Sequence, residues 1–102
     1  MKIQVVMMPA DPERKAYVTN IEDSLKNMQS IVGGMIEAVT IATDAAVIVN
    51  EEGRINGMPL NANCPFCVYG DAFLVGVKGE EFCSVSDNVK RFWLDQCRRV
   101  RE

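Results

Sequence analysis

The chain contains no histidine. That removes the side chain most often used as a general base, as a metal ligand and as a charge switch near neutral pH. It weighs against catalysis more than any other single feature. Long apolar runs are also missing: no stretch approaches the roughly 18–20 residues needed to span a bilayer. The opening "MKIQVVMMPADPERK" has a basic residue and a short apolar run, yet it alternates like a strand and lacks a small-residue cleavage site, so it reads as mature protein. A strong excess of either charge is lacking too. The net charge is −3, too mild for a mimic of nucleic acid and of the wrong sign for a general nucleic-acid binder.

What is present is ordinary in bulk. With 102 residues, 48% hydrophobic and 25% charged, the chain predicts one domain over residues 1–102 with a core of its own. A chain of this size buries roughly 60–70% of the surface its unfolded form exposes, so no disulfide or metal staple is required.

Periodicity lays out the elements. "KIQVVMM" predicts a strand over 2–8 with Ile3, Val5 and Met7 on one face, and "PADP" at 9–12 turns the chain. "RKAYVTNI" predicts its hairpin partner over 14–21. Asp23 or Ser24 caps a helix whose apolar face is Leu25, Met28 and Val32, with Ile31 at its edge. Gly33 is placed to stop that helix in the left-handed conformation, and Gly34 to let the chain reverse. Strands are predicted over 35–42 and 45–50, the second apolar enough to be covered on both faces. "NEEG" is expected to turn with Gly53 at positive φ, and "RING" to continue as a short hairpin strand. After an irregular stretch, "DAFLVGV" predicts a strand over 71–77, and "KGEE" a loop. Ser86 or Asp87 caps a last helix to about Arg101, with Val89, Phe92, Trp93, Gln96, Cys97 and Val100 facing inward. The sum is an α+β domain: a mostly antiparallel sheet of about five strands with two helices packed on one face.

Several residue groups invite chemistry. "CPFC" at 64–67 has the spacing of a glutaredoxin-type redox centre, but no strand–helix order surrounds it, and that chemistry needs the first thiol at a helix N-terminus. Cys64, Cys67, Cys83 and Cys97 would be the ligands of a structural zinc, with CxxC spacing in only one half. The plain alternative is free thiols in a reducing cytoplasm, with no metal and no cofactor. Glu51 and Glu52 read as solvated turn carboxylates. Glu37 is an outward-facing residue, or a partner for Arg54 or for a ligand. The basic end "CRRVRE" reads as a solvated helix terminus that complements the dipole, or as a grip on phosphates.

Two stretches carry a resemblance. "LKNMQSIVGGMIEAV", followed by "VIVNEEGRINGMPLNANC" and "YGDAFLVG", resembles a family of short phage, plasmid and mobile-element domains of unknown function. The match runs through Gln29, Ile31, Val32, Gly33, Gly34, Ile36 and Glu37, then Asn50, Glu51, Glu52, Gly53, Arg54, Gly57, Pro59, Asn61, Gly70 and Asp71. Met35 stands where the family has an aromatic residue and Met58 where it has leucine, and the CxxC lies outside the pattern. The resemblance implies an accessory protein in a host bacterial cytoplasm, of the kind that counters host defence.

The two glycine turns are expected to close neighbouring strands and gather polar groups at one rim. The candidate ligand-binding set is Gly33, Gly34, Glu37, Asn50, Glu52, Gly53, Arg54, Asn56, Gly57 and Asn61. The expected function is a non-enzymatic homo-oligomer that sequesters a small polar molecule, such as a nucleotide-derived signal. The alternatives are a module that binds and inhibits a host protein, and a thiol or zinc protein using the CPFC motif. A membrane or nucleic-acid partner is not expected.

Overall fold

Alternation along the first strand sends side chains to two different cores. In the computed structural model, which describes residues 1–102, β1 (Lys2–Met8) puts Ile3, Val5 and Met7 into one apolar cluster and Val6 and Met8 into another. The strands β4 (Ala45–Asn50) and β5 (Ala72–Lys78) do the same: Val47 and Leu74 face one way, Ile48 and Phe73 the other. Strands buried on both faces need a cover on each.

The remaining elements are β2 (Tyr17–Glu22), α1 (Leu25–Val32), β3 (Ile36–Ala42), β6 (Glu81–Cys83) and α2 (Asp87–Val100). The strands form one sheet in the order β2-β1-β5-β4-β3, every pair antiparallel, with β6 beside β5. The α+β class and the antiparallel sheet are as expected. The helix placement is not. Helix α1 covers one face through Met28 and Val32, and α2 covers the opposite face through Trp93 and Cys97. The doubly apolar central strands explain why: two helices on one face would leave a whole core in water. Each such side chain contributes about 1.5–3 kcal/mol when buried.

Other expectations are corrected locally. "KGEE" is a hairpin turn, with Gly79 at φ 63°, that adds β6. That hairpin needs Gly76, where a Cβ would collide with the Ser84 carbonyl oxygen. Phe92 and Val100 lie on the solvent side of α2, at 60% and 46% exposure; the inner face is Val89, Trp93 and Cys97, with Leu94 at its edge. "RING" is no strand. Residues 51–57 wind through consecutive turns, with Asn56 N–H donating to the Glu52 carbonyl and Met58 N–H to that of Gly53.

Helix ends follow local chemistry. Ser24 and Ser86 are the N-caps, accepting from the amides of Asn27 at 3.1 Å and Val89 at 3.4 Å. Gly33 ends α1 at φ 78°, its N–H bonded to the Gln29 carbonyl.

The long segment between β4 and β5 has no regular structure beyond a Leu60–Tyr69 bridge. It is fastened by two buried asparagines. Asn61 donates to the carbonyls of Met8 (2.8 Å) and Gly70 (2.9 Å) and accepts from the amides of Asn63 and Cys64 (both 2.8 Å). Asn63 donates to the carbonyls of Pro9 (2.6 Å) and Arg14 (2.9 Å).

Asn61→Ala strands these buried groups and is expected to cost about 2–4 kcal/mol in chemical denaturation. Gly33→Val forces a branched side chain into the left-handed region and is expected to cost about 1–2 kcal/mol. A wild-type melting curve for Asn61→Ala contradicts the fastening of the loop by that amide, and one for Gly33→Val contradicts the left-handed stop.

Candidate functional site

Antiparallel pairing brings the start of β3 beside the end of β4, with Ile36 opposite Asn50. The two glycine turns therefore meet, 16 residues apart in sequence between Gly34 and Asn50. The Asn50 side chain joins them. It donates to the Val32 carbonyl at 3.0 Å and accepts from the Glu52 amide at 2.7 Å. Gly34 is small because Asn50 is there: a Cβ would stand 2.8 Å from Asn50 Nδ2. The Glu51 amide closes the junction by donating to the Met35 carbonyl at 2.8 Å.

Gly53 is required for a different reason from the one expected. Its φ is not positive. It is buried against the next stretch of the loop, where a Cβ would lie 2.6 Å from the Tyr69 carbonyl oxygen. This close approach draws residues 66–69 alongside residues 51–54. Between them and the outer strand β3 lies a groove of about 190 Å³. Glu37 and Arg54 both line it, together with Asn50, Glu51, Gly53, Phe66 and Tyr69. No hydrogen bond or ion pair within the chain uses either the Glu37 carboxylate or the Arg54 guanidinium. The groove thus offers an acceptor, a planar donor fork and aromatic surface beside an apolar lining that includes Val39, Val49 and Val68.

The other expected site residues separate from this groove. Gly33 lines a second depression, of about 290 Å³, with Met58, Pro59 and Gly70. Met58 bridges its two glycines: a Cβ on Gly70 would meet Met58 Sδ at 2.7 Å, and one on Gly33 would meet Met58 Cε at 3.4 Å. Asn61 is buried with its side chain bonded on both ends, so it shapes the loop and presents no free group. Glu52, Asn56 and Gly57 lie on the exposed turn, and Gly57 needs its φ of 73° with open space around it. Phe66 and Tyr69 are not among the expected residues. The signal available for them is their position in "CPFCVYG", within and just after the paired cysteines. Phe66 is held edge-on against Trp93 of α2, ring centroids 6.4 Å apart, and the Trp93 indole donates to Met8 Sδ at 3.2 Å.

The thiols are arranged for packing. All four are free, and no three of the chain's cysteine and carboxylate side chains gather as a metal-binding group. Cys64 and Cys97 are core residues; Cys67 is exposed. Burial pushes the Cys64 thiol up to about 11 and the Cys97 thiol up to about 12. A redox centre needs the opposite shift at its attacking cysteine.

Raised thiol values stabilise the folded state fully below the ordinary thiol value of 9.0, and that stability is lost as pH climbs toward 11 and 12. Denaturation midpoints are expected to fall with pH above about 9, and Cys97→Ala to flatten this dependence. With an aromatic disulfide reagent at pH 8, Cys67 is expected to react at once and Cys64 and Cys97 only on unfolding. Rapid reaction of Cys64 in the native protein contradicts the packing role.

No curated protein and no solved structure matches the chain. No helix is long and apolar enough to cross a membrane. The model of one family, described as a domain of unknown function (DUF3846), matches residues 1–98, and the chain belongs to that family.

Proposed function

We propose that this chain is a non-catalytic accessory protein of a phage or other mobile element, acting in a host bacterial cytoplasm, that holds a small polar ligand in the groove between β3 and the loop after β4. The observation that carries this reading is the pair Glu37 and Arg54. They come from separate elements, line one groove, and have no partner within the chain. An acceptor and a donor fork left free beside two aromatic rings form a recognition surface for a flat molecule with hydrogen-bonding edges. The volume of about 190 Å³ is below the roughly 300–1,000 Å³ of sites that enclose a whole drug-sized ligand. The groove therefore suits a single ring, such as the base of a nucleotide-derived signal, with the remainder of the molecule lying outside.

The chemistry available favours holding over turnover. There is no histidine, and the two buried thiols are kept protonated. Sequestration of a host signal would be the counter-defence role. The homo-oligomer fits an open edge: β3 pairs with β4 on one side only, and Glu37 is its one charged residue. Two copies joined along β3 would bring their grooves together.

A host-protein partner is the second reading. It is favoured by Met35 and Ile55, 60% and 81% exposed on segments joined by the Glu51–Met35 hydrogen bond beside the groove.

Native mass spectrometry of protein exposed to a bacterial small-molecule extract separates the two. A ligand-sized added mass is expected on the wild type, to be lost in Arg54→Ala and in Phe66→Ala and retained in Lys78→Ala. A bare wild-type spectrum, with one host protein recovered by wild type and lost with Ile55→Asp, selects the interaction reading instead.

A further inference from the structure

We propose that the cavity at the C-terminal end of α2 is a second binding site, for the phosphate or comparable oxyanion group of a small molecule. This cavity, of about 440 Å³, is distinct from the groove at β3 and is within the size range of small-molecule sites. Lys15, Arg98 and Arg101 line it, against a single carboxylate side chain, Glu102.

The positions of these cations argue beyond a plain helix terminus. Basic residues in a last turn ordinarily answer the helix dipole or its free carbonyls. The Arg101 guanidinium, on the C-cap residue, bonds to none of the free α2 carbonyls. It reaches away from α2 and donates to the carbonyls of Pro12 (2.6 Å) and Arg14 (3.1 Å) and to Oδ1 of Asn63 (3.1 Å). All three acceptors are uncharged, so the positive charge is fixed in place without being neutralised. An arginine has five N–H donors, and these bonds occupy three at most, leaving two for a ligand. Asn63, fully buried, is the anchor: its Nδ2 group is tied to Pro9 and Arg14, which fixes the orientation of Oδ1 toward Arg101.

Charge around the mouth is in excess. Lys15, from the loop before β2, makes no ion pair. Arg98 pairs with Asp95, but Asp95 is shared with Arg99, whose hydrogen bond at 2.9 Å foremost holds that carboxyl below its usual range. One carboxylate thus serves two arginines, and a share of the Arg98 charge is free for an anion. Two segments 83 residues apart, at Lys15 and Arg98, supply cations to one concavity whose most ordered donor is preset by a buried amide. This is the arrangement that recognises a phosphate group, bidentate from arginine with a mobile lysine beside it.

The test is a titration of the folded chain with inorganic phosphate and with pyrophosphate, followed by amide and arginine side-chain NMR. The expected result is saturable shifts centred on Lys15, Asn63, Arg98 and Arg101, with pyrophosphate binding tighter than about 1 mM. Lys15→Gln and Arg98→Gln replace exposed side chains, so melting is expected to be near wild type; each is expected to weaken pyrophosphate about tenfold or more. Lys78→Gln, on the far hairpin, is expected to bind as wild type. The proposal is overturned by non-saturable shifts, by undiminished binding in both cavity variants, or by equal loss in Lys78→Gln. It is overturned in favour of nucleic acid if a short single-stranded oligonucleotide shifts these residues and pyrophosphate does not.

Discussion

The four hydrogen bonds of the Asn61 side chain are the constraint on which the functional half of the molecule depends. A connection of some twenty residues without regular structure has many conformations and few backbone partners of its own. A buried primary amide supplies what a strand would otherwise supply. Its donors reach two carbonyls, at the end of β1 and just before β5, and its oxygen turns the chain at Asn63 and Cys64. With the loop held there, Asn63 can extend the network to Pro9 and Arg14 and, through its own oxygen, to Arg101. The same network thus sets the base of the loop that walls the β3 groove and the orientation of the guanidinium in the α2 cavity.

The sheet gives this network something rigid to attach to. Three adjacent strands are apolar on both faces, and each face carries its own helix. On the α2 face, the helix covers only part of the sheet. Cys64, Val68 and the ring of Phe66 cover the remainder, packed with Trp93 and Cys97. The loop is therefore a piece of core as well as a rim. That double duty explains why Cys64, the first cysteine of the CxxC, is spent on packing with Cys97: both are small, apolar when protonated, and pushed away from ionisation by burial, while Cys67 stays exposed.

The two candidate sites differ in character. The β3 groove mixes two acids, Glu37 and Glu51, one base and two aromatic rings with aliphatic side chains, which favours a flat polar group that offers hydrogen-bond donors as well as an acceptor. The α2 cavity is larger and carries an excess of positive charge despite the acidic balance of the whole chain. Electrostatic focusing of this kind concerns the local distribution of charge and is compatible with a net negative protein.

How much of this was legible in the residues follows the range of the interactions. Helix caps at Ser24 and Ser86, the stop at Gly33 and the strands at 2–8, 36–42 and 45–50 depend on neighbours within a few positions, and the pattern of residues announces them. The meeting of Gly34 with Asn50 was also readable, because adjacent antiparallel strands joined by a short turn must bring those ends together. Other features depend on contacts that no local pattern encodes. Gly53 looks like a turn glycine, yet it is small because the Tyr69 carbonyl passes over it. Phe92 fits a helical stripe, yet the face that turns inward is chosen by where Trp93 and Cys97 find the sheet. Asn61 looks like a ligand-facing amide until the carbonyl of Met8, 53 residues away, is found to accept its hydrogen bond. By itself the sequence determined the elements, their ends and the chemistry that is missing. Only the tertiary structure decided which face each helix covers and which polar groups are consumed in holding the loop, since both are settled by distant backbone competing for the same donors and the same apolar surface.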